Sequence, residues 1–345
     1  MPETTVVELR APYLVMIGDV RHPLYAKTGL GIVRWRGEKV AGQLRFPGCP
    51  VDLGVPDLDV PAAKEAGVGS LIVGVAPVGG VIPDSWLAVL EEAAAAGMDI
   101  VSGLHVRLAK FERVARAARD SGARLVDVRV PPAGIPVGSG RKRSGRRVLM
   151  VGTDCAVGKK YSALALHAAL LAEGFEATFR ATGQTGIMIA GSGMPIDAVV
   201  SDFVSGAAEV LSPDNEPGHW DVIEGQGSLF HPGYAAVSLG LLHGSQPDAI
   251  VVCHEAGRSE MDEWPGYRLP SVADCIERNL LEGRLTNPGI RCVGISINTS
   301  SLPADERQPY LDALSRETGL PSVDPIATGM QPVVERIRRD FAGGD

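Results

Sequence analysis

Aromatic residues are scarce in this chain, 5% of 345, whereas glycine (42) and proline (25) are plentiful. That balance suits an α/β protein with many tight strand–helix turns better than an all-β one. The five cysteines, Cys49, Cys155, Cys253, Cys275 and Cys292, include no C-x-x-C pair. This excludes a disulfide frame or a zinc-site spacing and fits reduced thiols in the cytosol. No apolar run approaches the ~20 residues of a membrane span. The opening MPETTVVELRAPYLVM lacks the basic region and apolar core of a signal peptide. Basic residues are not in excess, since the formal net charge is −8, which argues against a nucleic-acid surface. A clean G-x-G-x-x-G is also missing, so a nicotinamide cofactor has little support. The expectation is a cytoplasmic protein acting on small molecules, with no nucleic-acid and no membrane partner.

What is present is alternation. Apolar strands are predicted at 12–20, 69–80 (running into a glycine loop), 98–105 and 123–131, separated by helices at 83–97 and 108–122. Residues 132–147, PAGIPVGSGRKRSGRR, read as a linker. Its Arg141, Lys142, Arg143, Arg146 and Arg147 are either solvated or in contact with a phosphorylated ligand. The alternation then restarts, with strands near 147–151, 175–181, 219–224, 248–253 and 290–297 and helices near 158–173, 269–282 and 303–318. Such an order implies βαβ units and mostly parallel sheets. The predicted organisation is a Rossmann-like domain over 1–135, a linker over 136–146 and a phosphate-loop α/β domain over 147–345. The apolar, Gly-rich loops of the first domain suggest a homo-oligomer.

The stretch VLMVGTDCAVGKKYS (148–162) carries the most chemistry. An apolar strand ends in Gly152-Thr153-Asp154-Cys155-Ala156-Val157-Gly158-Lys159, and a helix follows. Glycines without Cβ let backbone N–H groups converge on a phosphate, and the helix N-terminus faces the anion. Lys159 is placed to reach along the phosphates. The spacing is one residue longer than G-x-x-x-x-G-K-[ST], and Lys160 replaces the magnesium-binding hydroxyl. A protonated lysine cannot ligate a cation. Lys159 and Lys160 offer metal-free neutralisation of a diphosphate instead, which favours acetyl-CoA as ligand and no metal; ATP with magnesium is the alternative.

Other candidates cluster at predicted strand ends, where ligands gather in open α/β sheets. Glu224, in EGQGSLFHP, can bind a metal, hydrogen-bond a substrate amine, act as a general base, or simply satisfy turn N–H groups. His231 and His254 titrate near neutral pH, and each is either catalytic or a satisfied core imidazole. Arg180 and Arg258 are candidates for pairing a substrate carboxylate, with Gln184 and Thr185 in the polar loop ATGQTG beside them. Asp197 and Asp202 follow on what reads as a helix.

GTDCAVGK (152–159) resembles the long phosphate loop of dethiobiotin synthetase, with Glu224-Gly225 where that fold has an acidic strand end. Over nearly the whole chain the motifs SGLH (Ser102–His105), DVR.P (Asp127–Pro131), GTDC.VGK, ATGQTG (Ala181–Gly186), EGQGSL.HP (Glu224–Pro232) and SLGLLHGSQPD (Ser238–Asp248) resemble another family. That family, long catalogued as a domain of unknown function, includes D-glutamate N-acetyltransferases. The resemblance implies acetyl transfer from acetyl-CoA to the amine of a small amino acid, D-glutamate first. Residues 152–160 would then hold the coenzyme, Arg180 or Arg258 the substrate carboxylate, and Glu224, His231 or His254 would be the base. The dethiobiotin synthetase likeness implies instead an ATP- and magnesium-dependent kinase or ligase activating a carboxylate. A third class is a non-catalytic nucleotide-binding protein.

Overall fold

A computed structural model describes residues 4–75 and 82–342, and the chain divides into two compact units. One comprises Thr5–Pro131 with Gln184–Ala198; the other comprises Pro132–Gly183 and the chain from Val199 onward. The glycine loop read at 79–80 lies outside the described residues.

The first unit contains β1 (Thr5–Val6), β2 (Tyr13–Gly18), α1 (Lys27–Arg36), β3 (Val40–Arg45), α2 (Val60–Glu65), β4 (Ser70–Val73), α3 (Asp84–Ala95), β5 (Asp99–Ser102), α4 (Glu112–Ser121) and β6 (Leu125–Asp127). Strands β2 to β6 make a parallel sheet in the order β3-β2-β4-β5-β6. Every residue of β2, β4 and β5 is buried, as expected where crossover helices cover a parallel sheet and alternation gives way to continuous apolar runs. Helix α4 shows the complementary pattern: Val114, Ala115, Ala117 and Ala118 are buried, Arg113, Arg116 and Arg119 are exposed, and Gly122 closes it at φ 78°. At the head of β5 the buried Asp99 is held by Arg10 at 2.8 Å and Arg124 at 2.7 Å. Burial alone would raise this carboxyl's pKa, but the hydrogen bonds from Arg10 and Arg124 outweigh it and hold the value below the ordinary one.

The rest of the chain runs β7 (Arg146–Gly152), α5 (Lys159–Ala172), β8 (Ala177–Arg180), α6 (Gln184–Ala190), β9 (Ser192–Gly193), α7 (Val204–Leu211), β10 (Trp220–Ile223), α8 (Ala235–Ser245), β11 (Ala249–Glu255), α9 (Val272–Gly283), β12 (Arg291–Asn298), α10 (Ala304–Thr318), β13 (Ser322–Val323) and α11 (Gln331–Phe341). Two of these elements belong to the first unit. Helix α6 packs on α1, where the hydroxyls of Thr185 and Thr28 meet at 2.9 Å, and β9 pairs antiparallel with β1. The sequence suggested a ligand loop through Gly186; the chain instead turns helical at Gln184, because Ile187, Met188 and Ile189 form a buried apolar run. Asp197 and Asp202 lie on short 3-10 turns ahead of α7.

The second unit's six strands are all parallel, in the order β13-β12-β11-β7-β10-β8. The chain winds to one side of β7, returns, and then builds on the other. The carboxyl end of β7, between β10 and β11, is therefore a topological switch point where a crevice opens. The basic stretch before β7 is solvated at Arg141 and Lys142 but buried at Arg143 and Arg147, and it lies at the opposite, amino end of the strands. Arg143 is buried and donates to the carbonyls of Ser212, Gly244 and Ser245. Arg147 is buried as well and donates to Ser212 Oγ at 2.8 Å and the Pro213 carbonyl at 2.9 Å. Burial, with the neighbouring Arg147 charge, brings Arg143 down to about 10. Arg141 pairs with Asp214, Lys142 with Asp248, and Arg146 lies over Trp220 and Phe341. These cations staple the amino ends of the strands. No helix among the described residues is long and apolar enough to cross a membrane.

Candidate active site at the phosphate loop

The loop after β7 is built by its own backbone geometry. Gly158 takes φ 99° at the N-cap of α5, a conformation open to glycine and strained for other residues. Val157 is buried and anchors the loop from below. The helix N-terminus thus presents its unpaired N–H groups and positive dipole end to the crevice. Lys159 is buried, and its Nζ donates to the Asp154 carbonyl at 2.6 Å. Burial pushes its pKa down, opposed by the charges of Cys155, Cys253 and Asp154. Lys160 is half-buried with its ammonium 5.1 Å from the Tyr161 ring centre.

Asp154 and Arg258 brace this loop from within. Asp154 is fully buried; its Oδ1 accepts from the Cys155 N–H at 2.7 Å and its Oδ2 from the Asp262 N–H at 2.9 Å. Arg258 reaches Asp154 Oδ2 at 2.8 Å, Glu255 at 3.2 Å and the Cys155 carbonyl at 3.2 Å. Its donors therefore serve the loop. Thr153 is buried too, and its hydroxyl meets His254 Nδ1 at 3.0 Å. Burial, with the Arg258 charge, lowers the pKa of His254 and so favours its neutral form.

Glu224 stands at the end of β10. Its Oε2 accepts from the N–H groups of Thr182 at 3.0 Å and Gly183 at 3.1 Å, while Thr182 Oγ1 donates to the Glu224 carbonyl at 2.8 Å. The carboxylate thereby ties the loop after β8 to the loop after β10. Gly225 follows because the backbones nearly touch: a Cβ there would lie 1.7 Å from the Met150 carbonyl oxygen and 2.9 Å from Lys159 Cδ. Arg180 donates to Asp221 at 2.8 Å, inside a polar network that continues to Ser212 and Arg147.

His231 is the least satisfied of these groups. Its ring stacks on Tyr234 at 4.5 Å and meets the edge of Trp264 at 4.5 Å. Nδ1 accepts the Gly233 N–H at 3.1 Å, so the neutral ring carries its proton on Nε2. Nε2 is buried without a hydrogen-bond partner, 3.9 Å from Asp154 Oδ1. Burial lowers the pKa, and Lys159 adds to the shift while Asp154 opposes it. Asp154, Cys155 and His231 offer three potential metal-ligand atoms within 4.8 Å of one another. A protonated Nε2 has no lone pair for a metal, and Arg258 already occupies Asp154.

The loop 152–160, His231, His254 and Arg258 thus converge on one crevice, with Glu224 at its wall. Gln184 and Thr185 sit in the first unit and Arg180 in its own ion-pair network. The aromatic pair Tyr234 and Trp264 around His231 is announced in the sequence only by the proximity of Tyr234 to His231-Pro232.

A six-stranded parallel sheet whose central strand feeds a glycine-flanked loop and a helix N-terminus defines a P-loop protein, here fused to a Rossmann-like unit. Residues 136–334 match the family described as "Domain of unknown function (DUF1611_C) P-loop domain", and residues 45–131 match its Rossmann-like counterpart, DUF1611_N. The chain belongs to the DUF1611 family. A "D-glutamate N-acetyltransferase" of a Pseudoalteromonas species is 44% identical over 96% of this chain and 100% of its own length. A protein of the same name from Tritonibacter scottomollicae is 45% identical over 95% of this chain and 99% of its own. The crystal structure of a DUF1611 family protein from Anabaena variabilis superposes with a TM-score of 0.85 at 33% identity, covering 95% of this chain and 99% of that one.

Proposed function

We propose that this chain is an N-acetyltransferase that moves acetyl from acetyl-CoA to the amine of D-glutamate. The observation that carries the reading is the pair of relatives so named, 44% and 45% identical over nearly the full length of each chain. The site's chemistry agrees with it. Coenzyme A brings a diphosphate and a ribose phosphate, and the loop offers a helix N-terminus, Lys159 and Lys160 without a hydroxyl in the magnesium position. Acetyl transfer between a thioester and an amine needs no metal. With its phosphates on the loop, the coenzyme would bring its acetyl thioester to the crevice that holds Cys155 and His231, walled by Glu224.

Free thiol should appear when the protein is mixed with acetyl-CoA and D-glutamate, without added magnesium. Magnesium-dependent ADP release from ATP, with no thiol, would overturn the reading in favour of a carboxylate kinase or ligase.

Glu224 joins two loops that must both line the site. Glu224→Gln keeps one carbonyl acceptor for Thr182 and Gly183 but loses the charge that two N–H donors favour. Turnover should fall by roughly 10²–10⁴-fold, the range for a removed acid–base or charge-stabilising group, with acetyl-CoA affinity kept. Steady-state kinetics beside calorimetry would separate the two, and equal losses in both would show that Glu224 serves the fold alone.

A further inference from the structure

Resting on the acetyltransferase reading, we propose that Cys155 carries the acetyl group between coenzyme A and the substrate amine, with the Nε2–H of His231 as its hydrogen-bonding partner in the transfer. Two independent observations meet here. Cys155 sits half-buried inside the phosphate loop, so a thioester whose coenzyme is held by that loop lies against it. His231, with a side chain 0% exposed, carries an unpartnered Nε2–H 3.9 Å from the neighbouring Asp154, and a nitrogen of its ring lies within 4.8 Å of the Cys155 sulfur. Leaving a buried donor unmet costs about 1–3 kcal/mol, and such groups persist where a ligand or a transition state completes them.

The surroundings of Cys155 carry positive charge. Lys159, which interacts electrostatically with Cys155, the N-terminus of α5 just beyond it, and the Arg258 guanidinium, which contacts the Cys155 carbonyl at 3.2 Å, all bring positive charge to the segment that carries this thiol. The Asp154 carboxylate would oppose this, but its charge is answered by Arg258 at 2.8 Å. The remaining cysteines of this unit are of another kind. Cys253 is pushed up to about 11 and Cys275 and Cys292 to about 12, all by burial, which makes them inert. Gly227 leaves room for the reacting group: a Cβ there would stand 3.4 Å from the Cys155 sulfur.

The chemistry balances without an added reactant. Cys155 gives its proton to solvent, and its thiolate attacks the acetyl carbonyl carbon. A carbon–sulfur bond to Cys155 forms, the bond to coenzyme A breaks, and the departing sulfur takes a proton from solvent. His231 Nε2–H donates to the oxyanion in between. The neutral amine of D-glutamate then attacks S-acetyl-Cys155, the carbon–nitrogen bond forms, the Cys155 thiolate leaves, and the nitrogen loses one proton to solvent. Splitting the transfer in this way makes one difficult step into two easier ones.

The intact protein would be mixed with acetyl-CoA and isotopically labelled coenzyme A, without D-glutamate. Label should pass into acetyl-CoA, and acid-quenched digests should show one acetyl group on the peptide containing Cys155. Cys155→Ala and Cys155→Ser should lose exchange and lower turnover more than ~10³-fold, while acetyl-CoA still raises their melting temperature, which shows that they fold and bind. His231→Phe keeps an aromatic ring against Tyr234 and should slow exchange by about 10²–10³-fold; an unchanged rate would remove His231 from the step. Turnover with D-glutamate that persists in Cys155→Ala, together with no exchange in the unsubstituted protein, overturns the relay and leaves the acetyltransferase reading intact. Absence of any thiol release overturns both.

Discussion

Replacing Lys159 with methionine should abolish useful acetyl-CoA binding while leaving the unliganded protein as stable as before, or more so. The two effects have one cause. Lys159 is buried and its ammonium donates to the Asp154 carbonyl, a neutral acceptor, so the unliganded protein holds a charge in a place that disfavours it. Its pKa in the folded chain is lowered by that burial, against about 10.4 when unfolded. Between those two values the unfolded chain binds more protons than the folded one, so stability rises with pH across that window. Lys159→Met should flatten that slope, which urea unfolding at a series of pH values up to about 10 would reveal. On the acetyltransferase reading, coenzyme phosphates would reverse the balance by supplying a counter-charge. Removing the cation should then weaken acetyl-CoA by about 3–4 kcal/mol, a few hundred-fold. Calorimetry that finds unchanged affinity would sink the assignment of this loop to the coenzyme.

The second large effect is on the fold. Gly225→Ala should cost more than about 4 kcal/mol, enough to leave little folded protein. The added methyl group would sit 1.7 Å from the Met150 carbonyl oxygen, a main-chain atom in the central strand β7 that has no room to retreat. Gly37→Ala is the matched control, since nothing lies within 4 Å of its Cβ position and its φ of −55° is ordinary; it should shift stability by less than about 0.5 kcal/mol. Soluble expression and urea midpoints decide it: a Gly225→Ala protein as stable as the control would show that β7 and the loop after β10 can separate freely.

The parts of the site that could be read from the sequence are those that are local in the chain. Strand β7, the turn and α5 are contiguous, so the glycines and Lys159 announce their geometry directly. Ser271 and Asp274 form a capping box that marks the start of α9 equally well. An arginine past a strand end, as Arg258 is, looks available for a substrate carboxylate. Nothing nearby in sequence shows that Asp154 already holds it. The same holds for Arg143 and Arg147, whose acceptors Ser212 and Gly244 are distant in the chain. Helix α6 was obscured by the glycines and hydroxyls of ATGQTG, which suit a loop until the buried Ile187, Met188 and Ile189 outweigh them.

The excursion of Gln184–Ala198 into the first unit has a consequence for how the protein is made. A ribosome that has delivered everything through Pro131 has not yet supplied α6 or β9, so the first unit stays incomplete until the loop, helix and two strands of the second have left the tunnel. The two units must mature as a pair, and a gene cut at the basic stretch before β7 would yield one fragment lacking a helix and another carrying Ile187, Met188 and Ile189 with nothing to cover them.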